Sequence, residues 1–319
     1  MNDDKINYDE ILEKYPWLLA ENQNAIISPD ADGMLCGLFM SQFLGWKIVG
    51  YYDNGKNLIL KKGISASECV FLDTEIYRSD IRSIGHHISL FRQNNTNINP
   101  GGYKNCLNPN TLRGRTLKEK FSFKYPMGTI HLLLCIVSQK IEIKYLDKSF
   151  FVILQADGTI NRFLDRYSEN LFDWLRYLRV DDANNILNKI LRKETNLIEL
   201  NEDYVKYIKN FVKEKKDKIL ISEKGELKKE SFEKNKNRFS APCIGTTIKY
   251  LNFLSENTGW NYKENDWTFN DLIVYEFIKR TVRPGVKTFN KAIEENFLSL
   301  AITANDTMEY TVETPDKLP

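Results

Sequence analysis

Residues 25–33 read Ala25-Ile26-Ile27-Ser28-Pro29-Asp30-Ala31-Asp32-Gly33. A short apolar run stopped by Ser-Pro reads as a buried strand that ends in a loop. Gly33 to Leu44 then continues as a helix, and Asp30 or Asp32 can cap its free backbone N–H groups. Further strands are expected at Lys47–Tyr52 and at Cys69–Leu72, the second closing on Asp73. Continuous apolar strands alternating with a helix mark an α/β fold, a parallel sheet with helices on its faces. Upstream, Tyr8 to Leu19 carries Ile11, Leu12, Tyr15, Leu18 and Leu19 at helical spacing. Downstream, Gln93–Arg115 is a polar loop with turn signals at Gly101-Gly102 and Asn108-Pro109-Asn110. Met127–Lys140 reads as an apolar helix. Phe150–Gln155, helix or strand, delivers Asp157-Gly158, and Phe163–Leu178 closes the first domain.

The chain has 319 residues, 42% of them hydrophobic, enough for a full core and two domains. Residues 206–238 hold eleven lysines and Arg238 against six acidic residues, a local charge of +6 in a chain whose net charge is +2. The expected organisation is a first domain over 1–184, a Lys-rich connector over 185–240, and a smaller, mostly helical C-terminal unit over 241–319. Five cysteines without a CxxC pair argue against a disulfide framework or a structural zinc site. Met1 to Glu13 is polar and acidic, unlike a signal peptide, and the longest apolar runs, such as Ile130–Val137, are too short to span a bilayer. A cytoplasmic protein without membrane contact is the expectation.

Four chemistry-bearing segments each follow an expected core element: Ser28 to Gly33, Asp73, Gly85-His86-His87, and Asp157-Gly158. In an open parallel sheet the carboxyl ends of strands share one crevice. Carboxylates and an imidazole converging there would suit Mn²⁺ or Mg²⁺. Singly, each segment has a plainer role: Asp30-x-Asp32 as a helix cap, Asp73 and Asp157 as turn residues, the histidines as surface groups.

The order of the four resembles the DHH phosphoesterase family, and most closely its RecJ-like single-strand exonuclease branch. Ser28–Gly33 looks like that branch's DYDADG motif, Asp73 like the aspartate of its second motif, Gly85-His86-His87 like the DHH motif, and Asp157 like the fourth aspartate. Asn108-Pro109-Asn110 and Phe123 to Thr129 are similar to the family's NP turn and the helix start after it. The resemblance covers roughly residues 20–180. It implies that Asp32, Asp73, His86 and Asp157 hold one ion, that Asp30 and Asp73 hold a second with Asp73 bridging, and that His87 faces the phosphate. Three departures stand out: Ile26 and Ser28 where relatives supply a further ligand, Gly85 for the leading Asp, and a short Asp73–His86 spacing. No GGGH-type companion motif follows residue 180.

The implied activity is a Mn²⁺- or Mg²⁺-dependent phosphodiesterase, with one or two ions, acting on single-stranded DNA or RNA or short oligonucleotides. A catalytically silent scaffold or nucleic-acid-binding subunit, with a protein partner on the C-terminal unit, is the alternative that the departures suggest. Hydrolysis of a small nucleotide or pyrophosphate is the third. Arg113 and Arg115 lie where the family contacts phosphate, and a guanidinium forks well onto phosphate oxygens. The Lys-rich stretch, with Tyr207, Phe211 and Phe232, could follow a phosphate backbone or be a solvated helix face with Glu214–Lys218 and Glu230–Lys234 pairs. His131 reads as a core histidine. Trp17, Trp46 and Trp174 read as core aromatics, and Trp260 and Trp267 as packing residues or base-stacking platforms.

Overall fold

The Ala25–Ile27 run lies at the centre of a seven-stranded sheet. The computed structural model describes residues 4–53, 55–92, 101–164, 168–192, 202, 206, 218–220, 227 and 229–319. Its first elements are α1 (Tyr8–Lys14), β1 (Asn24–Ile27), α2 (Ala31–Leu44), β2 (Lys47–Tyr52), β3 (Asn57–Lys61), β4 (Cys69–Leu72), β5 (Arg82–Ile84) and β6 (Cys106–Leu107). There follow α3 (Pro109–Leu112), α4 (Thr129–Val137), α5 (Ser149–Gln155), α6 (Thr159–Leu164), α7 (Ser168–Tyr177) and α8 (Ile186–Leu191). The last group is β7 (Phe232–Glu233), β8 (Arg238–Phe239), α9 (Ala241–Thr258), β9 (Leu272–Glu276), β10 (Ile278–Val282), α10 (Val286–Glu294), β11 (Ser299–Ala304) and β12 (Thr307–Val312).

The sheet order is β6-β5-β4-β1-β2-β3-β9. Strand β1 runs parallel to both β2 and β4, and β4-β5-β6 continue in parallel. Strands β3 and β9 are antiparallel additions at the far edge. Alternation along β1 puts Ala25 and Ile27 on one face with Ile48, Val70 and Leu72, and Ile26 on the other with Val49, Leu60 and Phe71. Both faces are therefore dry, which is why these strands are apolar throughout. Each such side chain contributes about 1.5–3 kcal/mol by leaving water. The chain leaves β1 toward β2 on one side and returns to β4 on the other, so the strand order reverses between β1 and β4. A crevice opens beyond the carboxyl ends of strands at such a switch point.

Helix α2 is buried along nearly its whole length, and Trp46, Trp174 and Trp260 are fully buried. The first helix ends at Lys14 and gives way to a 3₁₀ turn over Pro16–Leu19, because Pro16 has no N–H to continue the ladder. Residues 241–319, expected to be mostly helical, instead divide between α9, α10 and four strands. Strands β10-β12-β11 form a separate antiparallel sheet, and β9 extends the central one. In β11 and β12, Leu300, Ile302, Met308 and Tyr310 alternate inward, a period of two that runs only six residues per strand. Trp260 packs on Phe39 and Phe43, so its role is packing. Tyr207, Phe211 and Glu214 lie outside the described residues. Among the described residues, no helix is long and apolar enough to cross a membrane.

Candidate metal centre

Asp30 is the N-cap of α2: its Oδ1 accepts from the Gly33 backbone N–H at 3.0 Å. A side chain at Gly33 would collide with the Ser28 carbonyl, so the loop and the helix start approach this closely only with glycine there. The other oxygen of Asp30 accepts from Ser28 Oγ (2.6 Å) and from Lys218 Nζ (2.7 Å).

Asp32, in the first turn of α2, is fully buried and reaches across to the start of α4. Its carboxylate accepts from the backbone N–H groups of Thr129 (2.6 Å) and Ile130 (3.1 Å), at the electropositive end of that helix. A Cβ at Gly128 would lie 2.8 Å from the Asp32 oxygens, so this glycine makes room for the carboxylate.

Asp73 closes β4 in the left-handed backbone region, φ 63°, and Asp157 follows α5 at φ 54°. Two aspartates held in this sparsely populated region within one site is a pattern of functional centres. Asp73 Oδ1 accepts from Thr129 Oγ1 (2.7 Å) and lies 3.2 Å from His86 Nδ1. The other ring nitrogen of His86 bonds to Asp157. Burial alone would lower the pKa of His86, but Asp157 and Asp73 overrule it and hold the ring in its charged form. Burial, followed by repulsion from Asp73, pushes Asp32 well above the usual carboxylate range. Burial and then Asp30 raise Asp73. For Asp157 the surrounding protein also pushes upward, but His86, His87 and Lys218 prevail and hold it low.

One donor atom each from Asp32, His86 and Asp157 can be chosen so that all three lie within 4.8 Å of one another. Two carboxylate oxygens and one imidazole nitrogen suit a hard-to-borderline divalent ion. Such an ion would replace the imidazolium proton and relieve the crowding of like charges that raises Asp32 and Asp73. The donor set therefore fits a divalent metal.

His87 stacks on His86 with ring centroids 4.3 Å apart. Its backbone N–H donates to Glu75 Oε1 (2.6 Å), and its Nδ1 lies 3.5 Å from Glu75 Oε2. Asn108 donates to Glu75 (3.1 Å) and to the His87 carbonyl (2.7 Å), and Asn110 donates to the His86 carbonyl (2.6 Å). The two histidines are thus clamped through their backbone. Glu75 was not among the residues singled out from sequence. A Cβ at Gly85 would lie 2.5 Å from its carboxylate, so Glu75 fills the space that any side chain at 85 would take.

Asp30, Asp73, His87, Asp157 and Lys218 line a cavity of about 110 Å³ together with Lys279, Ser299 and Thr311 of the C-terminal residues. His86, His87 and Asp157 also border a larger cavity of about 340 Å³ with Phe121, Lys124 and Arg162. Asp157 and His87 stand where the two meet. Arg113 and Arg115 are not brought to this crevice. They line a separate surface depression, where Arg113 pairs with Asp4 and Asp173 and packs over Trp174 and Tyr177, 4.5 Å from each ring centroid. His131 is buried, its Nδ1 facing the Gly128 carbonyl at 3.1 Å, and burial lowers its pKa to about 4, so it is a neutral core histidine. No family model, curated protein or solved structure matches the chain.

Proposed function

We propose that the crevice is the active site of a divalent-metal-dependent phosphodiesterase of the DHH type, acting on single-stranded nucleic acid or short oligonucleotides. The observation that carries this reading is the convergence of Asp32, Asp73, His86 and Asp157, from four separate stretches of chain, on the sheet's switch point. An ion of the Mn²⁺ or Mg²⁺ kind, held by Asp32, His86 and Asp157, would supply Lewis acidity toward a phosphodiester. Asp73 and Thr129 orient His86 for that task. His87, oriented by Glu75, opens onto both cavities, where an imidazole can hold or pass a proton. Lys218 and Lys279 on one side, with Lys124 and Arg162 on the other, provide cations for the phosphates of a strand crossing the crevice, and Phe121 offers an aromatic face. Among the described residues no disulfide is formed, in keeping with a cytoplasmic enzyme.

A second reading, a silent scaffold, is favoured by one observation. The oxygens of Asp30 and Asp32 are already occupied by the ends of α2 and α4 and by Lys218. One experiment separates the two: bound metal, and Mn²⁺-dependent hydrolysis of end-labelled single-stranded DNA and RNA from long strands to dinucleotides, for wild type and Asp73→Ala. Product that depends on Asp73 supports the phosphodiesterase, and the preferred length tells a nuclease from a small-nucleotide enzyme. A chain without metal or product is the scaffold.

A further inference from the structure

We infer that Lys218 is a built-in second cation of this centre, so that the crevice takes a single divalent ion and the Lys218 ammonium stands at Asp30 in place of another. The inference rests on the phosphodiesterase reading above and adds its stoichiometry and a further positioning residue.

Lysine side chains are long and entropically costly to fix, so an ordered one needs a reason to be held. Here the backbone supplies it. Lys218 forms an antiparallel bridge with Asp30, and the next N–H, of Ile219, donates to the Pro29 carbonyl at 3.1 Å. Ile219 and Leu220 are buried in the main core, 8% and 1% exposed, and anchor the segment from the far side. Lys218 therefore enters from a distant part of the chain and is pinned against the loop that carries Asp30. Its Nζ lies 2.7 Å from Asp30 Oδ2, and both side chains are largely buried.

That ammonium completes the coordination of Asp30. Oδ1 is taken by Gly33 N–H, and Oδ2 by Ser28 Oγ and Lys218 Nζ. A divalent ion bound to the same carboxylate would meet a fixed positive charge a few ångströms away in a poorly solvated site. Asp32, His86 and Asp157 form the ligand group without Asp30. Lys218 also lines the smaller cavity with Asp73, His87 and Asp157. It thus presents positive charge to a phosphoryl group in that cavity. A protein cation at this position does for charge what a second ion would do, without an extra binding equilibrium.

The test is the number of Mn²⁺ ions bound per chain, by equilibrium dialysis with elemental analysis. Electron paramagnetic resonance reads whether the ions are spin-coupled, and circular dichroism confirms folding. Wild type and Lys218→Arg are expected to bind one uncoupled ion. Lys218→Met and Lys218→Gln, which remove the charge, are expected to bind two coupled ions, and adding Asp30→Asn to either returns the count to one. Two ions on wild type, or one on both neutral variants, would overturn the inference while leaving the metal centre in place. No ion on wild type would overturn the inference together with the phosphodiesterase reading.

Discussion

Two charge clusters in this molecule, one at a surface depression and one in the crevice, reach different balances. Around Arg113, two guanidiniums (Arg113 and Arg115) face two carboxylates (Asp4 and Asp173), and Arg113 packs against the corner formed by Trp174 and Tyr177. Charge is matched one for one, although the buried Nε atoms of Arg113 and Arg115 find no hydrogen-bond partner among the described residues. In the crevice, Asp30, Asp32, Asp73, Glu75 and Asp157 contact Lys218, His86 and His87, while Lys279, paired with Glu309, and Lys124 and Arg162 line the adjoining cavities. His86 must hold a proton against its burial to contain part of the excess. The difference teaches which cluster is structural and which awaits a ligand: a balanced cluster holds parts together, whereas crowded buried carboxylates leave a place for a cation.

The sharpest break in this contrast comes from Asp157→Ala. It removes the solvent-facing ligand of the proposed centre, so Mn²⁺-dependent hydrolysis should fall to the level without enzyme, and bound metal with it. Full activity would end the metal reading. Arg113→Ala should do the reverse. The Arg113 side chain is 3% exposed but its partners are partly solvated, so a loss of about 2–3 kcal/mol is expected, at the low end for a broken buried pair. Chemical denaturation measures it. Metal bound per folded chain should not change, and a loss of metal there would merge the two clusters into one functional unit. Glu75→Gln is subtler. The amide keeps the shape but weakens the acceptor that orients His87, and changes to such supporting groups typically cost about 10–100-fold in activity or metal affinity. A drop in turnover with unchanged thermal stability is the expected result. An unchanged rate would make Glu75 a packing residue only.

How much of this was legible in the sequence follows from which interactions are local. Strand β1, the cap at Asp30 and the helix after it are encoded within a dozen residues, and they appear where the apolar run and the turn signals put them. Strands β2 and β4 were legible for the same reason. The structure also draws Asp32, Asp73, His86 and Asp157 to one crevice, as the order of the four segments suggested. Arg113 looked like a phosphate ligand because an arginine in a polar loop carries no mark of the aromatic pair, some sixty residues later, on which it packs. Glu75 was hidden because its meaning depends on the missing side chain at Gly85. Lys218 was one of eleven lysines in its stretch, and only the apolar Ile219-Leu220 after it hinted at an anchored position.

Asp53 offers the smallest and cleanest measure of the principle behind the comparison. It is fully buried, and the partners seen for its carboxylate are neutral donors: the backbone and side chain of Asn57 (2.5 and 2.6 Å) and the Leu227 N–H (3.0 Å). Burial raises its pKa to about 7 despite those hydrogen bonds. The folded chain therefore keeps a proton that the unfolded chain, with an ordinary carboxylate near pH 4, has lost. The stabilisation is full below about pH 4 and is lost as pH rises through about 7, with a slope of at most about 1.4 kcal/mol per pH unit in between. Asp53→Asn cannot titrate, so urea unfolding across that range should show a shallower fall in stability than in wild type. Equal slopes would mean that a buried carboxylate held by neutral donors stays charged in this protein. Carboxylate excess in the crevice would then no longer argue for a metal ion, and the case for the centre would rest on the convergence of its ligands alone.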